Sequence, residues 1–142
     1  MPNVPNARID ELAAGMSAEH AKTVTETDVA LFAGITGDFN PVHVDAEVAA
    51  KSMFGGRIAH GMLSAGLVSA VIAMKLPGPG TIYLSQSLRF TKPVRIGDTV
   101  TARVEVAEVL AAKKRVRLAT SCRNQRGEVV LDGEAMVMIP DG

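Results

Sequence analysis

The spacing of apolar positions changes halfway along the chain. Val29, Leu31, Phe32 and Ile35 recur at helical intervals, which predicts a helix over about 28 to 36. Thr27 is placed to cap it, with Asp28 in the first turn, and Gly37 to end it. Asp45 can cap a second, short helix, "AEVAAKSMF", which the glycines at 55 and 56 break. "HGMLSAGLVSAVIAMKL", residues 60 to 76, is apolar on nearly every face, which predicts a buried helix. Gly61, Ser64, Ala65, Gly66, Ser69, Ala70 and Ala73 are small enough to let other backbone approach closely, and "PGPG" ends the element.

Beyond residue 80 the pattern becomes strand-like. "TIYLSQSLRFTKPV", "DTVTARVEVAEVL", "KRVRLATSCRNQ" and "EVVLDGEAMVMI" alternate or run in Val- and Thr-rich fashion. Their connectors, "RIGD", "AAKK" and "RGE", are short, which favours antiparallel neighbours and a four-strand meander. Upstream, "SAEHAKTVT" (17 to 25) can supply a further strand, and residues before it form a polar arm with Pro2 and Pro5. The layout is α+β. An antiparallel sheet wrapped around a long central helix is the arrangement called the hotdog fold, here one domain over residues 1–142 with residues 1–16 as an arm. Such a sheet keeps an open edge, and edge-to-edge pairing of two copies is a natural way to cover it.

Composition narrows the partners. The chain has 142 residues, the size of one domain, and is 47% hydrophobic. Its formal net charge is zero, which gives no reason to expect nucleic acid or an anionic membrane as partner. A single cysteine, Cys122, excludes an internal disulfide and fits a reducing compartment. No basic segment followed by an apolar run opens the chain, and Gly61 to Met74 is shorter than the ~20 residues a spanning helix needs. The expectation is a cytoplasmic protein.

"ITGDFNPVHVD", residues 35 to 45, carries more chemistry than a turn requires. Pro41 pushes Asn40 out of helical conformation, so Asp38 and His43 are expected on an irregular loop between two helices, free to converge. A carboxylate and an imidazole aimed at one point can hold a water molecule and move its proton near neutral pH. Asp and Asn are also common turn formers, and a lone His in such a loop is often structural. A metal site from Asp38, His43 and Asp45 lacks a further ligand at suitable spacing. Gly61 follows His60 at the start of the central helix, where free backbone N–H groups and the positive dipole end lie. Such an N–H can polarise a thioester carbonyl. Equally, Gly61 can serve tight packing alone, and His60 can be a helix-start residue bonded to a nearby carbonyl.

The run Gly37-Asp38-Phe39-Asn40-Pro41-Val42-His43, with Ala49 downstream and "RIAHGMLSAGLVSAV" about twenty residues on, resembles the MaoC-like (R)-specific enoyl-CoA hydratase family. "PGPGTIYLSQSLRFTKPVRIGDTVTARVEV" is similar to the family's segment after the helix, and the likeness covers most of residues 20 to 140. The resemblance implies Asp38 and His43 as the acid–base pair and Gly61 N–H as the oxyanion donor. Asn40 would orient the loop, with His60, Ser69, Ile72 and Met136 around the substrate. The implied reaction is reversible hydration of a trans-2-enoyl-CoA to the (R)-3-hydroxyacyl-CoA. It needs no metal or organic cofactor, because the thioester is the electron sink. The nearest alternative is a 3-hydroxyacyl-[acyl-carrier-protein] dehydratase subunit, and Arg57, Arg89, Lys92 and Arg95 would suit the phosphate of either carrier. A hotdog thioesterase is disfavoured, since residues 61 to 74 hold no carboxylate. A non-catalytic acyl-binding subunit would have no reason to keep both Asp38 and His43. By position relative to the family, an acyl tunnel past Ser69 toward Ile72 and Met136 would be short and favour roughly four- to six-carbon groups.

Overall fold

A computed structural model describes residues 6–141. Pro2 and Pro5 lie outside the described residues. Strand β1 (Ser17–Thr23) is followed by α1 (Glu26–Thr36), two short helices, α2 (Pro41–Val44) and α3 (Ala46–Ala50), and the central helix α4 (Gly61–Met74). Then come β2 (Ile82–Phe90), β3 (Thr99–Leu110), β4 (Arg115–Arg123) and β5 (Val129–Met138). Two boundary expectations shift. The cap of α1 is Thr25, not Thr27, because Asp28 stands three residues after Thr25 and completes a capping box: each backbone N–H donates to the other's side chain. The loop holding His43 is also more regular than expected. Asn40 has extended backbone angles, as the following proline demands, and its side chain accepts from Val42 N–H, so that Pro41 opens a one-turn helix.

The five strands form one antiparallel sheet in the order β1-β3-β4-β5-β2. Only β3, β4 and β5 make the expected meander. β2 pairs with β5 rather than with its sequence neighbour β3. Residues 91–98 carry the chain across: eight extended residues reach ~26 Å, and three strand spacings take only ~14 Å. This crossing passes the start of α4, where Val94 O accepts Ala59 N–H at 2.7 Å. It therefore brings Phe90, Thr91 and Pro93 beside the helix N-terminus.

The sheet's concave face is built by alternation. Val100, Ala102, Val104 and Val106 of β3 are buried, as are Val116, Leu118 and Cys122 of β4. They pack on Leu63, Val68, Val71 and Ile72 of α4, and α4 lies mainly against β3. Burial pushes the Cys122 thiol up to about 12, so it is an inert core residue. The central helix is not covered all round, as its composition suggested. Met62, Gly66, Ala70, Ala73 and Met74 form an exposed stripe at helical spacing in the single chain. Ala7, Ile9 and Leu12 of the N-terminal arm pack on the core, so the arm is part of the domain. No helix among the described residues is long and apolar enough to cross a membrane.

Candidate active site

The site forms where α1 ends, α2 turns and α4 begins. Gly37 takes the left-handed conformation (φ 83°) that closes α1. Asp38 N–H then donates to Thr36 Oγ1 at 3.2 Å, and the Asp38 carboxylate accepts Asn40 N–H at 3.2 Å. These two bonds fold the loop back, and an Asp38 carboxylate oxygen lies within 4.8 Å of a His43 ring nitrogen. Asp45, which the sequence offered as a metal ligand, is occupied in capping α3 through Glu47 N–H and Val48 N–H.

His43 is 8% exposed, and its Nδ1 lies 2.8 Å from Ile58 O. A carbonyl can only accept, so Nδ1 carries the hydrogen and the neutral ring has its lone pair on Nε2. From behind, Arg57 Nε donates to His43 O at 2.6 Å while Nη1 grips both Glu26 oxygens at 2.7 and 2.8 Å. Asp38, His43 and His60 each present a ligand-type atom, all within 4.8 Å of one another. That separation admits one water bridging a carboxylate and an imidazole. It does not make a good metal centre. The His43 and His60 rings stack at 3.9 Å with a 27° tilt, and one nitrogen of each ring is already bonded to a main-chain carbonyl, Ile58 O and Asp38 O.

Gly61 is the first residue of α4, and its N–H has no protein acceptor among the described residues. A Cβ here would lie 2.6 Å from the Phe90 ring, so glycine is required for Phe90 to sit where it does. Asp38, His43, His60 and Gly61 line a cavity of about 320 Å³, together with Phe32 and Met62. Sharing His43, Gly61 and Met62 with it is an apolar cavity of about 540 Å³ walled by Phe54, Phe90 and Leu131. Sharing Phe32 and Met62 is another of about 540 Å³ lined by Ser69, Tyr83, Leu84 and Gln86.

Ser69 and His60 thus border cavities, but two other expected substrate contacts, Ile72 and Met136, line none of them. Ile72 is 2% exposed, within the helix–sheet core, and borders none of these cavities. Met136 points to the opposite side of the sheet, because its neighbours Ala135 and Val137 are the residues buried in the core. His60 lines the smaller cavity while 2% exposed, and its Nε2 bonds to Asp38 O. These cavities thus give no lining role to Ile72 or Met136. The basic residues are engaged too: Arg89 with Asp132 at 2.9 Å, Arg95 with Asp98 and Phe54 through its backbone N–H and side chain, and Lys92 with Glu128. Lys92, then Arg126, hold the Glu128 carboxyl down to about 2. Phe32, Met62, Phe90 and Tyr83 were missed. Phe32 and Met62 carried a helical signal that reads equally as core. Phe90 is brought to the site only by the β2–β3 crossing.

A five-stranded antiparallel sheet around one helix, with a carboxylate and an imidazole beneath that helix's N-terminus, defines a hotdog-fold protein with a pocket at the helix start. The model of the MaoC like domain matches residues 10–126, and the chain belongs to that family. It is 53% identical over 131 residues to an (R)-specific enoyl-CoA hydratase of Rhodospirillum rubrum, covering 92% of this chain and 90% of the relative. It is 48% identical over 140 residues to a 3-hydroxybutyryl-CoA dehydratase of Methylorubrum extorquens, covering 99% and 88%. The unliganded R-hydratase PhaJ1 from Pseudomonas aeruginosa superposes with a TM-score of 0.91 at 53% identity, covering 96% of this chain and 88% of that one.

Proposed function

We propose that this protein is an (R)-specific enoyl-CoA hydratase, adding water reversibly across the trans-2 double bond of an enoyl-CoA. The observation that carries the residue assignment is the Nδ1–H bond from His43 to Ile58 O, which leaves Nε2 free as a base on a ring that has a nitrogen within 4.8 Å of the Asp38 carboxylate. A water between Asp38 and His43 bonds through its oxygen to C3. The double-bond electron pair moves toward the thioester carbonyl, whose oxygen takes the developing charge and accepts Gly61 N–H. The proton removed from water returns to C2 through the pair, so the sum is one added water. The test is hydration of crotonyl-CoA beside crotonyl-loaded acyl carrier protein, with chiral analysis of the product. Formation of the (R)-3-hydroxyacyl-CoA as the faster reaction supports the reading; faster turnover of the carrier-protein thioester, or release of free acid, overturns it.

Gly61 supplies a separate check. Gly61→Ala keeps the N–H but drives the Phe90 ring away and narrows the approach to it. It is expected to lower kcat/KM about 100-fold, comparable to losing one oxyanion donor. Phe90→Ala in the same chain should recover at least a tenth of wild-type kcat/KM. An unaltered Gly61→Ala enzyme would show that the ring can move without consequence.

The working form is a homodimer. Edge strand β2 exposes Ile82, Tyr83, Leu84 and Phe90, and the exposed Met62 of α4 borders the same cavities as Tyr83, Leu84 and Phe90. An apolar edge strand of this length invites pairing, and a second copy covers it symmetrically. Sedimentation equilibrium should give twice the chain mass at micromolar concentration; a stable monomer there would exclude the dimer.

A further inference from the structure

His60 sits at the junction of everything the proposed reaction uses. Its ring is 2% exposed, stacked on His43 at a centroid distance of 3.9 Å and backed by Phe32 at 4.7 Å. Its Nε2 lies 3.0 Å from the main-chain oxygen of Asp38. That oxygen can only accept, so Nε2 bears the hydrogen and donates. In the neutral ring Nδ1 then carries a lone pair, and Nδ1 is buried with no hydrogen-bond partner. A buried acceptor without a donor is a cost to the fold. A phenylalanine would fill the same space between Phe32 and His43 without it, so packing alone does not ask for histidine here. What histidine adds is an N–H at one end of a flat ring. That N–H reaches the backbone of one member of the pair while the face supports the other.

We infer that His60 is a positioning residue for the hydration: its Nε2–H holds the Asp38 carbonyl while its ring face seats His43, so one side chain sets the spacing of carboxylate and imidazole. The inference rests on Asp38 and His43 being the reacting pair. Asn40 also links the two through its backbone, donating to the Asp38 carboxylate and accepting His43 N–H at 2.8 Å, but neither bond reaches the His43 ring. The Asp38 loop is otherwise held by its local bonds to Thr36 and Asn40, and the His43 ring by Ile58 O. Misplacing reacting groups by about an ångström can cost ~100-fold in rate without weakening substrate binding.

The test separates the two things His60 supplies. His60→Phe keeps a ring face and deletes the donor; His60→Gln keeps a donor of similar reach and deletes the ring. His60→Phe is expected to lower kcat for crotonyl-CoA by about 10- to 100-fold with KM within about twofold of wild type. His60→Gln should retain more activity than His60→Leu, which has neither feature. In a His43→Ala background, His60→Phe should change kcat by less than about twofold, because with the imidazole gone the spacing of the pair that the Nε2–H sets no longer governs the rate. Wild-type kcat in His60→Phe, a loss carried by KM, or an undiminished loss in the His43→Ala background would each overturn the proposal. Ring ¹⁵N NMR of the wild-type protein checks it without any variant: His60 should carry its hydrogen on Nε2, and the opposite tautomer would overturn it. His43→Ala alone reports on the pair, so near wild-type turnover there marks failure of the pair assignment, whatever tautomer His60 shows.

Discussion

Asp38→Asn and His43→Ala are each expected to lower kcat for enoyl-CoA hydration by at least ~100-fold, the usual contribution of a positioned acid or base. Asp38→Asn keeps the side-chain oxygen that accepts Asn40 N–H, so the loop geometry survives and the loss reads as chemistry. His43→Ala removes both the Nε2 base and the stacking partner of His60. Because the two groups act on one water, the double variant should lose far less than the product of the single losses. Steady-state kinetics on all three, with circular dichroism to show retained fold, decides it. Turnover near wild type in either single variant would remove that residue from the mechanism.

The largest stability effect should come from a residue far from the chemistry. Gly133 of β5 faces Leu88 of β2 and Thr120 of β4. A Cβ at this position would lie 1.8 Å from Ser87 O and 2.8 Å from Ser87 C. Those are main-chain atoms, so no side-chain rotation relieves the clash, and β2 must move away from β5. Gly133→Ala is therefore expected to cost at least ~3 kcal/mol, beyond the ordinary range for one substitution. The fall in Tm should be about 10 °C for a domain of this size. Gly34→Ala is the control. It lies within α1, meets nothing within 4 Å, and should stabilise by ~0.5–1 kcal/mol through helix propensity and unfolded-state entropy. Equal Tm values for Gly133→Ala and wild type would mean that β2 is not docked on β5 as described.

The main element types, the one-turn α2 apart, and the chemical inventory were legible in the residue pattern. Period-2 alternation in residues 99–138 specified three strands to within a few positions. The cap was expected at Thr27 and residues 38–43 on an irregular loop, whereas the capping box falls on Thr25–Asp28 and Pro41 opens α2. The Asp38-to-His43 run and Gly61 stood out as the proposed reacting groups through their likeness to the family's motif, since spacing alone also allowed a turn and a packing glycine. Tertiary structure decided three matters. It placed β2 beyond β5, since strand pairing depends on which backbone can approach, and Gly133 leaves room there for Ser87. It turned Met136 outward and sank Ile72 into the core, since alternation defines two faces without saying which one meets the helix. It also brought His60, seventeen residues past His43 in the chain, into ring contact with it and into a hydrogen bond with Asp38 O. Local pattern has no access to that contact, because it depends on where two separate helix termini meet in space.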